Sequence, residues 1–149
     1  MCRSWPTLIC VGLDNASRPL MLAERELRDA GVRERVQLRQ LDVADLHDTE
    51  AFDVAWLPLP LIGSDAARGA LTNAVRALRP GGWILVAVTE QPADEVQDAL
   101  TRLRAAAVGG STAFHDAVVT WLSEQGIHEV VDVQPPAGGP PFLAGMRPV

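Results

Sequence analysis

Two aspartates, Asp14 and Asp42, are the residues best placed to do chemistry, because each ends a short apolar run: Leu8-Ile9-Cys10-Val11-Gly12-Leu13 leads into Asp14, and Val36 to Leu41 leads into Asp42. In an open α/β sheet, ligands bind beyond the carboxyl ends of the strands. A carboxylate at that rim can accept both hydroxyl protons of a ribose. Two successive strands ending in aspartate on one rim point to a nucleoside pocket more strongly than either aspartate alone. The competing role for Asp14 is local, since an aspartate ahead of a helix also serves as its cap.

The elements that must position these carboxylates follow from pattern. Leu8 to Leu13, bounded by Pro6 and by Asp14-Asn15, reads as a strand buried on both faces. A helix follows, with Ser17 as cap, Pro19 in its first turn, a stripe of Leu20, Ala23, Leu27 and Ala30, and Gly31 at its end. Val36 to Leu41 alternates imperfectly, as a strand nearer a sheet edge does, and Phe52 to Leu57 is a third strand closed by Pro58 and Pro60.

Ser64 or Asp65 then caps a helix with a stripe of Ala67, Leu71, Ala74 or Val75, and Leu78. The run Ala77-Leu78-Arg79-Pro80-Gly81-Gly82-Trp83-Ile84-Leu85-Val86 reads as a helix end, a glycine turn and a buried strand that continues to Val88. Val96, Leu100, Leu103 and Ala107 mark a further amphipathic helix, and Phe114, Val118, Trp121 and Leu122 another, ended by Gly126. Glu129 to Val133 and Pro141 to Met146 read as strands joined by Gln134 to Pro140, a connection too short and helix-free for anything but antiparallel pairing. Alternating strands and helices with such a tail predict an α/β protein with an open, mostly parallel sheet and an antiparallel pair at the carboxyl end.

Composition sets the outer bounds. The 149 residues, 48% hydrophobic and 21% charged, fit one soluble globular domain, and neither a repeat nor an interdomain linker is visible. Thirteen basic against 19 acidic residues give a net charge of −6, which opposes sustained contact with nucleic acid or an anionic membrane and favours small-molecule or protein partners. Cys2 and Cys10 are too few for a disulfide framework or a metal site, so both are expected as free thiols. No apolar run approaches the roughly 18 residues of a membrane span, and the start Met-Cys-Arg-Ser-Trp-Pro lacks the apolar stretch of a secretory signal. A cytoplasmic location follows as the default expectation.

From about Trp5 onward the order of features resembles the class I S-adenosylmethionine-dependent methyltransferases, a Rossmann-like family. The matching pieces are Val11-Gly12-Leu13-Asp14 with its helix, Leu41-Asp42-Val43-Ala44-Asp45-Leu46, Phe52 to Leu57, and the Leu78-Arg79-Pro80-Gly81-Gly82 turn, the most specific of them. The resemblance implies S-adenosylmethionine as cofactor and methyl transfer to a small-molecule acceptor. It assigns Asp14, with Asn15 beside it, to the ribose hydroxyls, Asp42 to the adenine amino group and the Val43 backbone to the ring. Leu57 and Pro58 would border the methyl donor and the substrate, and Arg79 to Gly82 would be structural.

One part of the family pattern is missing. The family's first strand ends in a glycine-rich loop whose backbone approaches the cofactor, and only seven residues precede Leu8 here. The expectation is therefore an amino-terminally truncated domain lacking that strand, with two unpaired strand edges that must meet each other, pair with another chain or be covered. Such a chain is a methyltransferase impaired by the missing loop or, alternatively, a catalytically inactive binding or assembly module that recruits a second copy or a strand-supplying partner. A third reading, an NAD-dependent dehydrogenase, shares the acidic residue after the second strand but not the Arg79 to Gly82 turn or the antiparallel tail.

The remaining candidates have structural explanations. His47, His115 and His128 never recur at metal-ligand spacing, and His115-Asp116, as neighbours on a helix, are expected to point apart. Trp56 is expected to pack under a helix by strand alternation, and Trp83 and Trp121 to lie on core stripes. Pro135 to Pro141 reads as a hairpin loop or a semi-rigid flap. No Ser-His-Asp order or nucleophile elbow is present, so no catalytic residue is named.

Overall fold

Helix α1 (Ser17–Asp29) connects two parallel strands, β1 (Cys10–Asp14) and β2 (Val36–Gln40), whose in-register pairs run from Cys10 opposite Val36 to Asp14 opposite Gln40. These elements come from a computed structural model that describes residues 2, 4–133 and 139–149. The described chain divides into two compact units, Met1–Leu46 and His47–Val149.

In the first unit the helix begins one residue earlier than its expected cap implies. Ala16 takes the extended N-cap conformation and Ser17 is already helical. Pro19 sits in the first turn, where its missing N–H is harmless, and Gly31 follows the helix with a φ of +66°, a value that suits a residue without a Cβ. The stripe Leu20, Ala23, Leu27 and Ala30 is only half-buried, and no residue of α1 is fully buried. Among the described residues, Val32, Val36 and Leu46 form the buried apolar set of this unit. Polar ties supplement them: Glu24 accepts from Arg33 Nε at 2.6 Å and from Arg28 Nε at 3.0 Å, fastening α1 to the turn that enters β2. The Arg33 contact is the main reason the Glu24 carboxyl is held below its ordinary range.

The second unit contains β3 (Phe52–Pro58), α2 (Ser64–Ala77), β4 (Leu78–Ala87), α3 (Glu95–Val108), α4 (His115–Glu124), β5 (Val130–Val133) and β6 (Phe142–Met146). Its sheet has the order β3-β4-β6-β5, with β3 parallel to β4 and β6 antiparallel to both of its neighbours. The α/β fold and the antiparallel carboxyl-end pair are those the pattern predicts, but among the described residues this sheet is mixed, with β3–β4 its one parallel pairing, and β1 and β2 form a separate sheet. Leu71, Leu78, Ile84, Val86, Val118, Leu122, Ile127 and Leu143 are fully buried and come from α2, β4, α4, the turn after α4, and β6. At about 25 cal/mol per Å² of apolar surface removed from water, such side chains are the main favourable contribution to folding, set against the conformational entropy lost. The strand-joining segment expected over Gln134 to Pro140, and with it the flap, falls largely on positions 134–138, outside the described residues.

The Ala77 to Val86 run differs from its reading. Ala77 does end α2, but the residues that follow are already strand: Leu78 pairs with Phe52, and the register then shifts so that Val54 meets Trp83. The glycines serve that irregularity. Gly81 has a φ of +77°, and a Cβ on Gly82 would lie 2.9 Å from the Arg79 carbonyl oxygen and 3.2 Å from that of Asp53. Arg147 fixes the same bulge through backbone bonds with Gly81 and Gly82, while its guanidinium donates to the carbonyls of Arg76 and Leu78 and to Glu50.

Three apolar assignments also need correction. Trp56 is 47% exposed, because strand alternation gives the covered face to Leu57, which is 5% exposed. Trp56 packs instead edge-on against Phe142, their ring centroids 4.9 Å apart. Trp83, opposite Met146, is 44% exposed for the same reason, while Trp121 is half-buried. On α3 the stripe Val96, Leu100 and Leu103 is exposed. Amphipathic periodicity identifies the helix but not whether anything covers its apolar side.

Among the described residues, β1 pairs with β2 alone and β3 with β4 alone. Each unit therefore keeps at least one strand edge without a backbone partner there.

Candidate functional site

Asp14 and Asp42 both end up at the carboxyl ends of paired parallel strands, and both first shape their own loops. Asp14 Oδ1 accepts the Ala16 N–H at 2.8 Å, an Asx-type turn just before α1; Ala16 is the N-cap and no side chain caps the helix, so the capping role expected of Asp14 is not realised. Asp42 is the N-cap of a short 3₁₀ turn over Val43–Asp45, with Oδ1 accepting from Ala44 N–H at 2.9 Å. Register brings the two loops together. The Leu41 N–H donates to the Asp14 carbonyl at 3.0 Å, extending the β1–β2 pairing by one residue, and Asn15 Nδ2 donates to Asp42 Oδ2 at 3.0 Å. The Ala44 N–H, and after it Asn15, hold the Asp42 carboxyl below its ordinary range, so it is ionised at neutral pH.

These contacts leave acceptor capacity. A carboxylate offers about four lone-pair sites, whereas among the described residues Asp14 uses one contact and Asp42 uses two. Both aspartates and Val43 are half-buried and Asn15 is exposed, so the cluster borders solvent. An acceptor-only, negatively charged rim with an exposed amide beside it suits the hydroxyl and amino donors of a nucleoside. The acceptor set thus fits the adenosyl half of S-adenosylmethionine.

In the second unit Leu57 and Pro58 lie at the carboxyl end of β3, where the pattern places them. The Leu57 side chain points into the core, so it is the backbone, together with half-buried Pro58, that this strand end presents. Beyond it, Pro60, Thr89, Thr101, Arg104, Ala105, Val108 and Ser111 line a cavity of about 240 Å³. Two of its lining residues take part in a close backbone crossing. Buried Ser111 donates to the Leu59 carbonyl at 2.7 Å, and a Cβ on Gly110 would overlap the Pro60 carbonyl oxygen. A larger cavity, about 390 Å³, lies among Arg28, Gly31, Val32, Arg33, Glu34 and Arg35 in the first unit, at the start of β2 rather than at its carboxyl end. Its arginines are already engaged by Glu24 and by backbone carbonyls.

One grouping departs from expectation. His115 Nδ1 lies 2.8 Å from Asp116 Oδ1, although helix neighbours ordinarily diverge, because His115 is the first helical residue and its ring is free of a preceding turn. Its Nε2 lies 3.1 Å from Asp132 Oδ1 in β5. Asp116, chiefly, raises the His115 pKa. When protonated, the ring donates from both nitrogens, and the cluster then tethers α4 to β5. The carboxylate across the sheet is separated by 17 residues, and nothing in the local sequence announces it. His47 is exposed, and His128 lies 3.3 Å from Ser123 Oγ in the turn after α4. Among the described residues no group of His, Cys, Asp and Glu is arranged to hold a metal, and no helix is long and apolar enough to cross a membrane.

Comparison with known proteins shows the family and the fold. The methyltransferase-domain family matches residues 1–82. The chain is 32% identical over 94 residues to the U6 snRNA (guanine-N(2))-methyltransferase THUMPD2 of Bos taurus, covering 59% of this chain and 19% of that protein. It is 29% identical over 87 residues to a demethylmenaquinone methyltransferase of Lactobacillus johnsonii, covering 58% and 36%. Among solved structures, an O-methyltransferase family protein of Burkholderia thailandensis superposes with a TM-score of 0.80 at 19% identity, over 99% of this chain and 46% of that one. The chain thus spans well under two thirds of each of these relatives, and the structural likeness establishes a shared fold. With the family match covering more than half of its residues, the chain belongs to the methyltransferase-domain family, within the class I S-adenosylmethionine-dependent methyltransferases.

Proposed function

We propose that this chain takes part in methyl transfer from S-adenosylmethionine to a small-molecule acceptor, as one methyltransferase-like domain of a cytoplasmic protein. The observation that carries this reading is the gathering of two strand-end carboxylates: Asn15, next to Asp14 in the chain, donates to Asp42, while Asp14 accepts from the Ala16 N–H. In this proposal Asp14 and Asn15 bind the ribose hydroxyls, Asp42 accepts from the adenine amino group, and the Val43 backbone contacts the ring. Leu57 and Pro58 border the methyl donor and the acceptor. The cofactor supplies an electrophilic methyl group on a sulfonium. The chain's own contribution is orientation, which can provide much of the rate for an in-line transfer without a named base.

The acceptor is proposed as small because the net charge of −6 disfavours a polyanion, and because Arg104 is the one charged side chain lining the cavity beyond β3. U6 snRNA is the substrate named for the Bos taurus relative, and demethylmenaquinone that named for the bacterial one; both remain theirs. Membership of the methyltransferase family removes the ground for a dehydrogenase. Isothermal titration of the full chain with S-adenosylmethionine is the test, with binding expected and its loss expected in Asp42→Ala. No heat at millimolar cofactor sinks the proposal.

A second reading, a non-catalytic binding or assembly module, is supported by the unpaired edges of β1 and β3 among the described residues. In that reading a second copy or a strand-supplying partner completes the sheet edge. Sedimentation velocity separates the two, since a monomer that binds cofactor counts against assembly.

A further inference from the structure

Cys2 and Cys10 are the only cysteines of the chain, and the fold places their sulfurs 3.3 Å apart. Both are free thiols and both are half-buried. The contact is held from outside the pair. Arg35, at the end of the turn before β2, directs Nη1 to the carbonyl oxygens of Cys2 at 2.7 Å, Trp5 at 3.0 Å and Pro6 at 3.0 Å. Cys10 is the first residue of β1, fixed opposite Val36 by the strand pairing. A turn pinned by one guanidinium thus faces a strand residue pinned by the sheet, and closing a bond of about 2.05 Å needs only a small approach of the sulfurs.

From this juxtaposition we propose that Cys2 and Cys10 form a dithiol site that reacts with a low-molecular-weight disulfide to close an intramolecular bridge. One cysteine thiolate attacks the small disulfide, forming a mixed disulfide and releasing half of it as a thiolate. The other cysteine then attacks the mixed disulfide at the protein sulfur and releases the second half. The two cysteines are oxidised to one disulfide, the small disulfide is reduced to two thiols, and the two cysteine protons end on those thiols. Burial, and then the neighbouring sulfur, keep Cys10 protonated above the ordinary thiol range, so Cys10 acts second. The closed bridge ties the Trp5-Pro6 turn to the start of β1, making the approach to that strand redox-dependent.

Equilibration of the full chain in mixed oxidised and reduced glutathione tests this, read by intact mass and peptide mapping in buffer and in denaturant. The expected result is a loss of two hydrogens, a cross-linked pair of peptides carrying Cys2 and Cys10, and an effective thiol concentration about tenfold or more above that of the unfolded chain, where only loop closure favours the bond. Arg35→Ala, which frees the turn, is expected to lower the folded value toward the unfolded one. Glutathione adducts without a bridge, a disulfide between two chains, no reaction, or equal values in the folded and unfolded chain each overturn the proposal. Cys2→Ser and Cys10→Ser identify the adducts.

Discussion

The two units divide stability and chemistry unequally. In Met1–Leu46 the buried apolar residues are Val32, Val36 and Leu46, α1 buries no residue completely, and much of the cohesion lies in polar ties through Glu24, Arg33, Arg35 and Asp42. All other buried apolar side chains among the described residues lie in His47–Val149. Yet the first unit holds both rim carboxylates. A site made of half-buried, solvent-bordering aspartates that also shape their loops cannot also be a dry core, so the carboxylate rim sits on the part with less apolar burial to stabilise it.

The contrast can be tested most strongly in the core. Leu71→Ala should destabilise the second unit by about 2–5 kcal/mol, measured by urea unfolding, whereas Leu20→Ala on half-buried α1 should cost clearly less. Equal losses would break the comparison. Amide exchange should agree, with the highest protection at Ile84 and Val86 and early opening of β1 and β2.

Ligand binding should narrow the gap. At a hundred times its Kd, S-adenosylmethionine should stabilise the binding-competent state by about 2.7 kcal/mol. The added amide protection should concentrate around Asp14 to Ala16 and Asp42 to Ala44. Protection confined to the second unit would contradict the carboxylate assignment.

Asp42→Ala should cost about 1 kcal/mol, the usual value of a lost cap, and should also remove part of the acid sensitivity of the first unit. Because the fold lowers the Asp42 pKa, its contribution is fully present above about pH 3.9, the ordinary aspartate value. It is lost as pH falls through the lower folded value. An acid titration in which Asp42→Asn shows a shallower slope than wild type checks the sign.

The smallest effect belongs to the second unit. His115 has a raised pKa, so its tie to Asp116 and Asp132 is present below about pH 6.5 and fades as pH rises through the folded value. The pair is exposed, so His115→Gln should cost about 0.5 kcal/mol or less at pH 6, and no more than that at alkaline pH. NMR titration of the His115 ring reports the shift directly.

Periodicity and punctuation alone identified the strands that end at Asp14 and at Leu57-Pro58, the helices closed by Gly31 and Gly126, and the antiparallel carboxyl-end pair. These features depend on neighbours in the chain, such as alternation, missing N–H groups and glycine conformations. The same local rules placed Asp14 and Asp42 at strand ends, which suffices to nominate them. Tertiary structure decided the rest, because it depends on which residues meet across large separations. It gave the covered side of β3 to Leu57 and left Trp56 against Phe142, turned the Gly81-Gly82 turn into a strand bulge held by Arg147, and joined Asn15 to Asp42 and His115 to Asp132. A hydrophobic pattern specifies that a face prefers burial, whereas only the folded chain determines whether another surface is there to bury it.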